Sequence, residues 1–278
     1  MSSHPAVPFG MRVRLIGSRL RLAVQLAQRE ISARYRGSVL GIGWSLLTPL
    51  LMLAVFTFVF GTVFKTRWTP PGGSEASHST ADFAVILFAG LSVFQLFADV
   101  VTRAPSLVLS NVNYVKKVVF PLAVLPLAAL GSALFDTAVR LVVLLVFVVL
   151  ARGSLPATAL LLPLVLAPYI LLVLGLTWFL AGLGVYVRDV GQFLGPLVTA
   201  LMFLSPIFFP SSALPDWLQP YLVLNPIALP VEGTRAVLIW GTAPDWTGLA
   251  LYSAIAAAIA ILGLVWFQKT RKGFADVV

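Results

Sequence analysis

The sequence predicts an all-α polytopic membrane protein with six transmembrane helices, and three observations predict it. Of 278 residues, 59% are hydrophobic and 10% charged, whereas a soluble domain averages about 45–50% apolar and about 25% charged. Apolar runs of spanning length recur along the chain: Leu46 to Phe64 makes a helix of ~28 Å at ~1.5 Å per residue. Positive charge gathers in some of the intervals between runs and is sparse in the others. The mean hydropathy of +0.98 excludes an ordinary cytosolic domain, a disordered chain and a nucleic-acid-binding domain. There is no cysteine, so thiol chemistry and disulfides are excluded. His4 and His78, the only histidines, have no acidic or histidine neighbour at metal-ligand spacing, and no metal is expected.

The chain begins with residues 1–44, a cytoplasmic segment with seven Arg and no apolar run of signal-peptide length, which reads as uncleaved. Within it, residues 11–36 predict an interfacial amphipathic helix. Arg14, Ser18, Arg21, Gln25, Gln28, Arg29, Ser32 and Arg36 make a polar stripe opposed by Ile16, Leu20, Ala23 and Ala27. Arg12, Arg19 and Arg34 break the pattern by lying towards the apolar side. A soluble helix packed on another subunit is the alternative.

Residues 45–267 form the transmembrane domain. The six spans are about Leu46–Phe64, Phe83–Val101, a stretch within Phe120–Leu150, Ala157–Val187, Val190–Phe209 and Leu249–Phe267. The loop Lys65–Asp82, with Pro70, Pro71, Gly72 and Gly73, shows no chemistry. Between spans five and six, Phe209 to Thr247 is too apolar for a solvated loop. Pro210, Pro215, Pro220, Pro226, Pro230 and Pro244 break it too often for a span. Re-entrant outer helices fit it, as does a lid lying flat at the interface, where Trp217 and Tyr221 are equally at home. Residues 268–278 are a cytoplasmic tail. With six spans, fourteen Lys and Arg fall on the side of both termini and four on the other. Both termini are therefore expected in the cytoplasm.

Few residues carry chemistry. No Gly-Lys dipeptide exists, so this chain supplies no P-loop and is not expected to be an ATPase. Gly37/Gly41 and Gly191/Gly195 have the spacing for close helix approach. Asp136 and Arg140 sit deep in the third span at i,i+4, as a self-compensated pair or as contacts in a conduit. Glu232 and Arg235 make a similar i,i+3 pair. Phe56 and Phe60 share a face of span one; with Trp178, Tyr186 and Phe203 they are packing residues or rings that stack on sugar faces. Arg34, Arg36, Lys116 and Lys117 sit at the cytoplasmic interface. They either bind a phosphate-bearing lipid headgroup or only set topology.

Several short motifs occur in order along the chain. They are Arg34-Tyr35-Arg36-Gly37-Ser38-Val39-Leu40-Gly41 with Trp44, Leu47, Pro49 and Val59-Phe60-Gly61; Lys116-Lys117 with Phe120-Pro121 and Leu125-Pro126; Tyr186, Arg188 and Asp189; Ser205-Pro206-Ile207, Leu224-Asn225-Pro226, Glu232 and Arg235; and Gly273-Phe274-Ala275-Asp276. Together they resemble the permease subunits of polysaccharide ABC exporters, the type-2 ABC permeases that export lipid-linked O-antigen, capsule or teichoic-acid chains. Arg140 departs from the family's pattern. The resemblance implies a homodimer in a bacterial cytoplasmic (inner) membrane, with a lipid-linked polysaccharide as cargo and membrane lipid around it. It also implies two ATP-binding cassette subunits that hold ATP and Mg, so this chain holds no cofactor. It implies that Ala104, Pro105, Ser106, Leu107, Leu109, Asn111 and Asn113, in the loop after span two, dock on the ATPase. Trp217, Tyr221, Glu232 and Arg235 would belong to an outer gate. An ion-coupled secondary transporter using Asp136 and Arg140 is the alternative, although no internal repeat is visible. A membrane-embedded glycosyltransferase would need a second acid beside Asp82 or Asp99, and neither has one in sequence.

Overall fold

The computed structural model describes residues 9–59, 80–116, 120–215, 217 and 219–277. Its helices are α1 (Phe9–Tyr35), α2 (Trp44–Phe56), α3 (Thr80–Arg103), the short α4 (Ser106–Leu109) and α5 (Val112–Lys116), α6 (Val124–Arg152), α7 (Leu162–Tyr186), α8 (Val190–Leu204), α9 (Ala228–Arg235), α10 (Trp246–Thr270) and α11 (Phe274–Val277). Among the described residues there is no strand. Phe60, Lys117, both histidines and most of the loop after span one lie outside the described residues.

Five helices are long and apolar enough to cross a membrane: α2 with its flanks, α3, α6, α7 and α10. The expected fifth span is different. Its helix α8 has 15 residues, ~22 Å at ~1.5 Å per residue, against a hydrocarbon core of about 30 Å. It stops because Ser205 precedes Pro206. The proline ring disfavours helical backbone at the residue before it, and Ser205 is extended at φ −90, ψ 151. Asn225 then closes the end: its Nδ2 donates to the Leu204 carbonyl at 3.3 Å and to the Ser205 Oγ at 3.0 Å. Its Oδ1 accepts from the Ile227 amide at 2.9 Å. The Ser-Pro and Asn-Pro motifs, twenty residues apart, are thus one joint.

α3 is the central helix. In its most apolar stretch 78% of the residues are buried, against 11% for α2. α7 and α10 form the most extensive pairing in the fold, and glycine sets its closeness. A Cβ on Gly175 would stand 2.6 Å from the Ala260 Cα, and one on Gly263 would stand 2.1 Å from the Gly175 carbonyl oxygen. Without a hydrophobic drive between helices in lipid, such small-residue contact is what holds them. The glycine pairs expected from spacing do not do this. Gly37 and Gly41 lie in the turn after α1 with φ +81 and +51, and a Cβ on either, or on Gly195, would meet nothing. On Gly191 it would meet only the Pro105 side chain, at 4.0 Å. GxxxG spacing needs a facing helix to matter, and there these glycines have none.

α1 covers the expected range and packs along α6. Ala23 and Ala27 are buried, and Ala27 sits against Gly131. Leu20 and Val24 on the neighbouring strip remain exposed. Small residues therefore bring the helix against the bundle, Leu26 packs on the core beside them, and Leu20 and Val24 face outward.

Candidate functional site

A cavity of about 560 Å³ opens between α2, α3 and α6, with the end of α1 closing one side and Met202 of α8 reaching it. Trp44, Thr48, Pro49, Met52 and Phe56 come from α2, and Phe88, Leu91, Ser92, Gln95 and Asp99 from α3. Asp136 and Arg140 come from α6, and Arg34 and Tyr35 from α1. Most of its wall is apolar. The polar groups form two clusters.

In the first, Arg34 donates to Asp136 in an ion pair and to the Ser132 Oγ at 3.0 Å. The Tyr35 hydroxyl donates to the other Asp136 oxygen at 3.3 Å. Burial pulls the Arg34 guanidinium down, but the carboxylates of Asp136 and Glu30 more than offset it and hold its pKa above the usual value. Burial, then Asp136, raises the Tyr35 phenol. In the second cluster Arg140 donates to Asp99 and to the Thr137 hydroxyl, both at 3.2 Å, and Gln95 donates to Asp99 at 2.8 Å. Two cations and two carboxylates leave the cavity formally neutral. One donor is left over: the buried Nε of Arg140 has no acceptor among the described residues.

Asp136 and Arg140 are therefore not the local pair that their spacing suggested. Each pairs across an interface, Asp136 with α1 and Arg140 with α3. An i,i+4 pair needs both side chains to lean together; here stronger geometry was available from neighbouring helices. The break in the α1 amphipathic pattern has the same origin. Ala23, Ala27, Glu30 and Arg34 share one face, and the arginine turned towards apolar surface is the one that meets Asp136. A carboxylate buried at this depth requires a cation. Arg34 is thus committed within the chain, whereas Arg36 and Lys116 are exposed.

Glu30 extends the first cluster. It lies 3.9 Å from Arg34 and pairs with Arg103, the last residue of α3. A line of alternating charges runs from Asp136 through Arg34 and Glu30 to Arg103, which leads directly into α4 and α5. In that loop Ala104, Pro105 and Leu107 are buried within the chain, and a Cβ on Gly184 of α7 would stand 2.5 Å from the Pro105 Cα. Ser106 and Asn113 are exposed, Leu109 and Asn111 half-buried.

Of the aromatic candidates, Phe56 lines the cavity. Tyr186 lies at the far end of α7, where its hydroxyl donates to the Thr270 carbonyl at 2.7 Å and its ring meets Phe274. Phe203 is exposed on α8 and stacks on Phe208. Trp178 is buried, with its indole N–H on the Ala123 carbonyl. Trp44, which lines the cavity, stood out only as part of a motif, and Phe88 beside it was not singled out from sequence; spacing shows which residues share a helix face but not which face meets a hollow. Glu30, Gln95 and Arg103 were missed for the same reason. Asp99 had stood out only for its lack of a second acid.

At the opposite end of the bundle Arg235 is fully buried. Its Nε donates to the Ile86 carbonyl at 3.1 Å, one terminal nitrogen to the Pro206 carbonyl, and the other to the Ile207 carbonyl at 2.8 Å. The expected pair exists, with Glu232 3.5 Å away. Burial lowers the Arg235 pKa to about 10 despite Glu232, and raises that of Glu232. Nearby Arg152 pairs with Asp82 at 3.0 Å, donates to the Ile239 carbonyl and lies over the Trp240 ring at 5.7 Å. Trp217 and Tyr221 are exposed.

Known proteins resemble this chain almost from end to end. An O-antigen export system permease protein of Myxococcus xanthus is 28% identical over 260 residues, 92% of this chain and 95% of its own length. One from Klebsiella pneumoniae is 24% identical over 268 residues, covering 95% and 97%. A daunorubicin resistance ABC transporter permease protein of Streptomyces coeruleorubidus is 30% identical over 217 residues, covering 74% and 71%. The family model described as ABC-2 type transporter matches residues 21–239, a stretch that holds the cavity, both charge clusters and the buried Arg235, and the chain belongs to that family.

Proposed function

We propose that this chain is the membrane subunit of an ATP-driven exporter that moves a lipid-linked polysaccharide across a bacterial cytoplasmic membrane. The observation that carries the reading is the similarity to O-antigen export permeases over more than nine-tenths of both chains. Two copies form the path, and two separate ATPase subunits bind ATP and Mg. The nearly unburied α2 supports a second copy, since α2 lines the cavity on one side and bares Leu46, Leu50 and Val55 on others. Six crossings, with α8 and the joint after it as the fifth, keep both termini in the cytoplasm as the charge distribution requires. The segment from Ser211 to Trp240 then forms the re-entrant outer gate.

The mechanism follows from the charge line. ATP draws the two ATPases together, and the exposed Ser106 and Asn113, with Leu109 and Asn111, receive the movement. Ala104, Pro105 and Leu107 are fastened to α7, so the loop moves α7 with it. Arg103, Glu30, Arg34 and Asp136 pass the movement to α1 and the cavity wall. In the cavity Trp44, Phe56 and Phe88 offer ring faces to sugars, and the free Nε–H of Arg140 seeks a hydroxyl or phosphate oxygen. Arg36, Lys116 and Lys117 meet the anionic lipid linker at the cytoplasmic face.

Deletion of the gene is expected to leave lipid-linked glycan in the cytoplasm. The chain restores export with an active ATPase partner and fails with one whose P-loop lysine is replaced. Export that persists without any ATPase and stops when the proton gradient is dissipated would overturn the proposal in favour of ion coupling through Asp136 and Arg140.

A further inference from the structure

A second cavity, of about 460 Å³, lies between α7, α9 and the first turns of α10, at the end of the bundle away from α1. Its size falls within the ~300–1,000 Å³ of ligand pockets. Gly233, Ala236 and Gly248 line it with little side chain, and Leu222, Leu229 and Leu249 give it apolar walls. The wall that follows α9 is a π-helical turn, Ala236–Trp240, closed by Gly241 at φ +67. Such turns are rare and recur at functional sites. The mouth runs onto Leu251 and Ile255, which are exposed on α10, a helix apolar and long enough to cross a membrane.

Two acids line the cavity, and both are engaged within the chain. Glu232 stands 3.5 Å from the Arg235 guanidinium, and Asp245 caps α10, accepting from the Thr247 amide at 3.1 Å. The Tyr252 hydroxyl donates to the Pro226 carbonyl at 2.7 Å. These groups ask no charge of an occupant. What the walls ask for is apolar volume. Atoms that line an empty cavity forfeit dispersion contacts, and a water molecule inside would need about two to four polar partners. The bilayer holds a filler at the mouth: the hydrocarbon that covers Leu251 and Ile255 on a spanning helix is the acyl chain of a phospholipid. Lipid tails are as apolar as leucine, so a chain moves from that face into the cavity without crossing water. What holds it there is contact with walls from α7, α9 and α10 rather than with one helix surface.

We propose that this cavity holds an acyl chain of a membrane phospholipid, which enters over Leu251 and Ile255 and is taken for its hydrocarbon and not for its headgroup. The assignment stands on the cavity and the spanning helix beside it, and does not depend on what the chain exports. The full-length chain is reconstituted in phosphatidylcholine vesicles containing a phosphatidylcholine with a diazirine at the end of one acyl chain. After irradiation, adducts are mapped by mass spectrometry of peptides. Adducts are expected at Leu229 and Ala236, which are half-buried on the cavity walls, as well as at Leu262 on the exposed face of α10. Ala236→Phe fills the space and lowers labelling at Leu229 by about tenfold or more, the scale on which one methylene too many counts in an apolar pocket, while labelling at Leu262 stays. Leu251→Trp, at an exposed position of the mouth, acts in the same direction and keeps the test open where Ala236→Phe does not fold. Replacing choline by ethanolamine on the probe leaves the pattern unchanged. A few mole per cent of unlabelled polyprenyl phosphate also leaves it unchanged. Labelling confined to the exposed face of α10, cavity labelling that survives in both folded variants, a headgroup preference, or loss of the cavity adducts to polyprenyl phosphate would overturn the proposal, the last by showing an isoprenoid tail to be the occupant.

Discussion

Arg34 and Asp136 show how one residue pair can organise a site. Asp136 is mostly buried on α6 and is met by a guanidinium and a phenol from α1. Removing Arg34 leaves a carboxylate in a low-dielectric place without its cation, and removing Asp136 leaves the cation facing apolar surface. Arg34→Gln and Asp136→Asn are each expected to lower both the thermal unfolding midpoint and export. The double variant recovers part of the loss, with a coupling energy of ~1–2 kcal/mol in a double-mutant cycle. Strict additivity would show that the pair does not act as a unit. Arg235 tests the other end. Arg235→Met fits the space but leaves the carbonyls of Ile86, Pro206 and Ile207 without their donor. A loss of roughly 3 kcal/mol or more in unfolding free energy is expected, read by thermal or denaturant unfolding in detergent; a neutral result would show that those carbonyls find other donors.

Among the elements, the α7–α10 pair and the line from α3 to α1 are the ones to perturb. Gly263→Val sets a branched side chain against the Gly175 carbonyl, where even a Cβ would stand at 2.1 Å. The helices must separate, and a destabilisation of ~1–3 kcal/mol follows from overpacking, measured by the same unfolding assay. A Gly195→Val control, where a Cβ meets nothing, is expected to leave the midpoint unchanged. Glu30 and Arg103 tie α1 to the loop that carries α4 and α5. Glu30→Arg or Arg103→Glu alone is expected to uncouple ATP hydrolysis from export in the assembled transporter. The two exchanged together restore coupling in part: the pair regains opposite signs, but the guanidinium now at position 30 stands beside Arg34. If the exchange restores nothing, the contact is structural only.

At the scale of the whole molecule, much of the fold could be read from the chain. Five apolar runs became five helices of spanning length, and the N-terminal helix came within about two residues of its expected limits, because hydrophobic period and length are local properties. The helix of the fifth apolar run ends at Leu204, short of the expected Phe209, because an apolar count is blind to a backbone that cannot stay helical before Pro206. The site was legible in pieces. Asp136, Arg140, Arg34, Phe56, Glu232 and Arg235 stood out as costly or patterned residues, and each proved to be engaged in a cavity or a buried contact. Their partners did not stand out. Arg34 and Asp136 are 102 residues apart, and Arg235 and Ile86 are 149 apart. No spacing rule spans such distances.

What the sequence by itself determined is the solvent for which this chain is made. So apolar a chain can fold only with its backbone hydrogen bonds closed inside helices, and its positive residues already favour one orientation. The tertiary structure alone decided which charges meet. In a bilayer a buried charge must find a partner, yet the partner is whichever residue the packing brings within reach. Packing here turned on glycines at Gly175 and Gly263 and on a proline after Ser205, whose effect depends on what lies opposite them.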